Sequence, residues 1–226
     1  MSVSCALIPC TALAQVGKPY QEWTEKEAKE LVINSPWAQT QTGVVWVDRF
    51  ATPTPAADST ITVRLYSALP LRQALVRLRQ IKTSYDRKSD RDKAAIDAKN
   101  RELLECLACN NYYMVTMSPG PDSRNGLPPL PRPLSFAVMK RNVQIKNEKG
   151  ETRELTNFVA PKFFGDEALF FFARFNSKGE PLINPANHTL TISFDRLMFR
   201  WAPAPATQAK FEFDVAKMIV NGQVVF

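Results

Sequence analysis

The chain has 226 residues, 45% of them apolar and 23% charged, with a formal net charge of +7. These fractions describe a globular protein and exclude a disordered one, and the length is enough to bury a core without staples. The positive excess favours anionic partners such as an acidic polymer or lipid surface, but it does not bear on fold.

The first element is an uncharged apolar run from Val3 to Ala14. It is too short to cross a bilayer, which takes about 20 apolar residues. It suits the apolar region of a secretory signal, and Ala12-Leu13-Ala14 places small residues where a cleavage site needs them. Residues 1–14 are therefore read as a signal peptide cut before Gln15, and the remainder as extracytoplasmic, periplasmic or secreted. No Lys or Arg precedes the run, where such a signal normally carries positive charge. A lipid anchor on Cys10 fits less well because Pro9 stands directly before it, and an ordinary first strand is the bland alternative. No later stretch reaches transmembrane length.

Residues 15–226 read as a single α+β domain, with 119–133 as a possible subdivision. "WTEKEAKELVINSPW" predicts a helix that starts at a capping box, Thr24 with Glu27 three residues on. It should stop near Asn34, because Pro36 disfavours the helical conformation at Ser35. The flanking Trp23 and Trp37 are expected to clamp it to the core. Residues 42–50 and 59–68 alternate like strands, with the Pro-rich "ATPTPAAD" between them read as a loop. "LPLRQALVRLRQIKTS" predicts a helix with Pro70 in its first turn and Leu71, Ala74, Leu75, Leu78 and Ile81 as its apolar face. A second helix follows from about Ser89, with Ile96, Leu103, Leu104 and Leu107 as its buried stripe. The short link between them implies a helical hairpin.

Beyond it, 111–118 is a strand candidate, 119–133 a Pro-rich loop and 134–141 a short helix. Strand-like runs follow at 143–147, 154–160, 168–175, 189–200 and 210–226, with an Asn-Gly hairpin signal in "VNGQ". The fold expected is an antiparallel β-sandwich or open barrel with the helical hairpin packed on one side.

Three stretches carry a resemblance: "EWTEKEAKELVINSPWA", "VRLYSALPLRQALVRL" and "FEFDVAKMIVNGQVVF". In this order, behind a leader, the chain resembles a family of exported bacterial proteins of about this length whose function is unassigned. The resemblance implies export, one long domain and a β-rich half. It supplies no catalytic residue.

Among residues with chemistry, Cys106 and Cys109 form a C-x-x-C pair at the C-terminal end of a predicted helix. The helix dipole there raises a thiol pKa, the reverse of what a redox thiol needs. A local disulfide in an oxidising compartment, free thiols and a redox pair all remain open. His188 is the only histidine, which leaves hydrolase triads hanging on one position and gives a four-ligand zinc site little support. No cofactor or metal is expected. "NHT" at 187–189 matches a glycosylation sequon, a short pattern that often occurs by chance.

Arg72, Arg77, Arg79, Lys82, Arg87, Lys88 and Arg91 form a candidate anion-binding group on the hairpin; a solvated charged face with intrahelical pairs such as Asp97–Arg101 is the plain alternative. Residues 158–175 hold seven of the fourteen Phe. Phe170, Phe171 and Phe172 in succession must point to both faces of a strand, which makes them candidates for protein contact or for a strand buried on both sides. The expected function is non-enzymatic binding of another envelope protein or an anionic surface, with nucleic acid disfavoured. An envelope enzyme, either a thiol redox protein or a hydrolase, is the alternative.

Overall fold

A computed structural model describes residues 17–49, 52–120, 135–162, 166–195, 201–202 and 208–226. The segment read as a leader lies outside them, as does 121–133 of the Pro-rich stretch. Helix α1 (Glu25–Ile33) starts where the capping box places it. Thr24 Oγ1 accepts from the Glu27 N–H at 3.3 Å, and the Glu27 carboxylate accepts from the Thr24 N–H at 2.7 Å. The helix ends at Asn34 and buries Ala28, Leu31 and Val32. Trp23 and Trp37 are buried beside it, and the Trp37 indole donates to the Val225 carbonyl at 2.8 Å.

Strands β1 (Ala38–Arg49) and β2 (Thr52–Leu65) form one long antiparallel hairpin. The expected loop over 51–58 is thus mostly strand. Strand β3 (Tyr112–Pro119) pairs with β2 only from Ile61 to Leu65. Pro53 and Pro55 therefore sit where β2 pairs with β1 alone among the described residues, and a missing N–H is tolerated on such an edge.

The remaining strands are β4 (Val143–Asn147), β5 (Thr152–Arg153), β6 (Leu155–Val159), β7 (Ala168–Ala173), β8 (Thr189–Asp195), β9 (Trp201–Ala202) and β10 (Gln208–Asp214). Strands β11 (Ile219–Val220) and β12 (Gln223–Val224) close a two-residue turn in which Asn221 and Gly222 both have positive φ, the geometry that matches strand twist.

One sheet runs β6-β7-β3-β2-β1-β9 and a second runs β10-β8-β4-β5, with antiparallel pairing throughout. The fold is α+β and sandwich-like, and among the described residues the sheets do not close into a barrel. Between them lies an aromatic ladder. Ring centroids are 5.1 Å apart for Phe158–Phe170, 5.5 Å for Phe170–Phe194 and 6.0 Å for Phe194–Phe211. Along one side, the amides of Gln39 and Gln41 donate to the carbonyls of Glu212 and Lys210 on β10. Edge carbonyls that would otherwise offer a pairing template are thereby occupied.

The outer face of the larger sheet carries helices and is polar along β2 and β3, where Thr62, Arg64, Thr116 and Ser118 lie. Arg64 on β2 is buried there, donating from Nε to the Val32 carbonyl at 2.6 Å and from Nη1 to Ser118 Oγ at 2.6 Å and Glu167 at 3.0 Å. Helix α2 (Leu69–Lys82) buries Leu71 and Ala74 as its periodicity predicts, but also Arg72, Val76, Arg77 and Gln80. Helix α3 (Asp90–Glu105) is capped by Ser89 and buries Asn100 alone. Its expected apolar stripe is a correction: Ile96, Leu103 and Leu104 are half-buried, and Leu107 is 77% exposed. Polar contacts hold α3 instead. Asp97, itself exposed, accepts from the Tyr85 hydroxyl at 2.6 Å and from the Gln80 amide at 3.3 Å, so it reaches across to α2 and the link after it rather than along the helix to Arg101. Helix α4 (Phe136–Asn142) starts at a Ser135 cap.

Candidate functional site

Two sequence candidates meet on the outer face of the larger sheet. Alternation along β7 sends Phe170 and Phe172 into the sandwich, where both are fully buried. Phe171 points the other way, half-buried, with its ring edge-on to Tyr112 at 6.0 Å. Leu169 shares that outward face with Phe171, and Val159 pairs with Leu169 from the neighbouring strand and is exposed. Val159, Leu169, Phe171 and Tyr112 make an apolar strip on the face where the helices also lie.

The strip runs into a small sulfur cluster. Cys106 and Cys109 are disulfide-bonded, and their Sγ atoms lie 3.8 and 3.7 Å from Met114 Sδ. Phe171, Leu169, Tyr66 and Tyr112 pack against this group. Cys106 ends α3 in the left-handed conformation (φ 38°, ψ 67°), with its N–H still bonded to the Glu102 carbonyl. A 3-10 turn over Leu107–Asn110 follows, pinned by Cys109 N–H to the Cys106 carbonyl at 2.8 Å and by Arg174 donating to the Cys109 carbonyl at 2.9 Å. Both sulfurs are buried while Leu107 between them faces water. The pair thus sits at the helix end whose dipole opposes a thiolate, with little access for an attacking thiol.

Beside the turn is an open groove of about 610 Å³ whose lining includes Tyr66, Arg79, Met114 and the C-terminal half of α3. Burial raises the pKa of the Tyr66 phenol; the positive charges of Arg79 and Arg72 oppose the rise, and Glu167 and Glu102 add to it.

The basic group on the hairpin is dispersed by the fold, which corrects its reading as one patch. Arg72 is only 5% exposed and donates to the Leu103, Leu104 and Ser67 carbonyls. Arg77 is buried too, with Nε on the Trp23 carbonyl at 2.8 Å and a two-pronged pairing to Asp86 at 3.0 and 3.1 Å. Arg79 leans toward Asn100. Lys82, Arg87 and Arg91 are exposed and Lys88 half-buried, so these four, with Arg79, are what remains for an anionic surface.

His188 is exposed in a loop before β8. The sequon residue Asn187 is buried, its amide donating to Glu148 at 3.0 Å, which removes it as an attachment point. Among the described residues no three His, Cys, Asp or Glu side chains gather as a metal site would require. The features that sequence reasoning missed are the exposed Leu107, and Met114 and Tyr66 in the groove lining. The C-x-x-C spacing held the signal for the first, because a bridge between Cys106 and Cys109 forces the intervening residues outward.

Fold and surface together define an α+β sandwich carrying a helical hairpin and an apolar strip beside a disulfide-closed turn. Compared with family models, curated proteins and solved structures, the chain matches none.

Proposed function

We propose that the protein is a non-enzymatic extracytoplasmic binding module that contacts another envelope protein through the outward face of β6 and β7. The observation that carries this reading is the split of the Phe run. Two rings serve the core, while Phe171, Leu169 and Val159 leave an apolar strip partly open to solvent, and such strips mark interaction sites. The Cys106–Cys109 bridge supports the exported setting, because disulfides persist in oxidising compartments. So do the leader-like residues 1–14 and the resemblance to exported bacterial proteins. The exposed Lys82, Arg87 and Arg91 assist at an anionic surface, with salt-dependent effect.

The test is capture of partners from envelope extracts by the wild-type protein and by Phe171→Asp. A partner retained by wild type and lost from a folded Phe171→Asp supports the reading. Equal recovery by both proteins, or recovery of nothing above control, sinks it.

A further inference from the structure

We infer that Cys106, Cys109 and Met114 form a site for a single cuprous ion, closed while the two cysteines are bridged and opened when the bridge is reduced. The inference does not rest on an envelope partner, and its test leaves Phe171 unaltered.

Met114 Sδ lies 3.8 Å from Cys106 Sγ and 3.7 Å from Cys109 Sγ. Metal–sulfur bonds of about 2.3 Å hold three sulfurs roughly 4 Å from one another around one ion. Two sides of that triangle are therefore already in place. The disulfide spans the third, and only its two sulfurs must part. The frame around them has bonds of its own. Cys109 N–H donates to the Cys106 carbonyl at 2.8 Å, Arg174 donates to the Cys109 carbonyl at 2.9 Å, and Met114 N–H donates to Ser67 Oγ at 3.3 Å.

Thiolate and thioether donors select Cu(I). Zinc takes four ligands from Cys, His or carboxylate side chains, and among the described residues no three of these gather. Tyr66, Tyr112, Leu169 and Phe171 pack against the sulfurs, and such an apolar shell limits water at the ion. Cys106 is 9% exposed and lines the groove with Met114, a narrow entry that slows reduction and still admits the ion. Opening takes two electrons and two protons from a dithiol, which closes to its own disulfide. Binding then replaces the two thiol protons with one Cu(I), because a coordinated thiol gives up its proton. The bound site carries one net negative charge, beside the Arg174 guanidinium.

Cuprous ion alone, offered anaerobically to the full chain in competition with a colorimetric Cu(I) chelator, tests this. The chain is first reduced with dithiothreitol and then freed of it. The reduced chain should hold one Cu(I), whereas the bridged chain and Cys106→Ser/Cys109→Ser should yield theirs to the chelator. Met114→Leu keeps the side-chain volume and should weaken binding at least about tenfold, the loss that even an outer-shell partner of a metal brings. X-ray absorption at the copper edge should count three sulfurs in wild type and two in Met114→Leu. Circular dichroism checks folding, and if Met114→Leu does not fold, the wild-type sulfur count decides alone. Equal affinity in the bridged and reduced chains overturns the inference. So does a folded Met114→Leu that binds as tightly as wild type, or a wild-type site with only two sulfurs. A reduced chain that binds nothing or unfolds overturns it as well, since the fold must assemble the three donors without the bridge.

Discussion

The two faces of the larger sheet are held by different physics. On the inner face, rings and aliphatic chains interlock with the second sheet, and Phe170, Phe172, Phe194, Phe211 and Phe213 are all fully buried or nearly so. On the outer face three buried arginines aim at main-chain carbonyls. Arg64 reaches Val32 in the last turn of α1, Arg72 reaches Leu103 and Leu104 in the last turn of α3, and Arg77 reaches Trp23 just ahead of α1. The last carbonyls of a helix lack intrahelical partners and carry its negative pole, so a guanidinium there satisfies both needs. Part of the net charge of +7 therefore works inside the fold. The comparison teaches that apolar burial makes the sandwich, whereas charge-assisted hydrogen bonds dock the helices.

The largest effect should come from the inner face. Phe170→Ala removes the ring between Phe158 and Phe194 and should cost about 4 kcal/mol, from lost transfer energy and the cavity left behind. Urea unfolding followed by tryptophan fluorescence measures it, and a loss under about 1 kcal/mol would mean the ladder is not close-packed. On the outer face, Arg64→Leu should cost about 3 kcal/mol, because it strips charge-assisted bonds from Val32 and Ser118. Amide exchange separates the two variants: Phe170→Ala should raise exchange throughout the sheets, while Arg64→Leu should raise it first in α1. Uniform exchange in both would break the distinction between the faces.

The same division explains what the sequence made legible. Period-2 alternation in "FEFDV" predicts β10, and the Thr24–Glu27 box marks the start of α1, because in both cases the determining contacts are local. The prolines at 53 and 55 point to a loop, since nothing local says that β2 outruns β3 there. The arginines read as surface charge because their targets come together only in the tertiary fold; Arg72 meets carbonyls 31 and 32 residues along the chain. Leu107 extends the helical stripe on paper, yet Cys106 turns left-handed and ends the periodicity one residue earlier. For the candidate site, the Phe run shows that one ring must face outward, but not that Tyr112, Met114 and the disulfide stand beside it.

A smaller effect should follow from opening that disulfide. The double variant Cys106→Ser/Cys109→Ser frees a loop so short that closing it contributes about 2 kcal/mol in the chain-entropy account. The loss should appear in urea unfolding, and its exchange signature should stay within residues 103–114. A collapse of protection in the sheets would show that the bridge supports the sandwich rather than only the end of α3.

The weakest handle is pH, and it probes the first turn of α1 against the loop before β8. The carboxyl of Glu27 is pulled down to about 2 by the Lys18 ammonium first and then by the backbone and hydroxyl of Thr24. Glu148 also falls to about 2; partial burial pushes it upward, but hydrogen bonds from Asn187 and from the backbone N–H groups of Glu148, Thr189 and His188 outweigh that. Both values lie below the unfolded value of about 4.3. The unfolded chain therefore takes up protons first as pH drops, and the stability from each carboxylate, complete above that value, is lost between about 4.3 and 2. Both groups are solvent-accessible, so salt should blunt the effect. Chemical shifts of the two carboxyl carbons across this range give each midpoint. Glu148→Gln should flatten the stability profile there while leaving the Glu27 midpoint unchanged, since the two sites share no partner. A Glu27 midpoint that moved with it would tie α1 to the β8 loop, a coupling that two separately held regions do not allow.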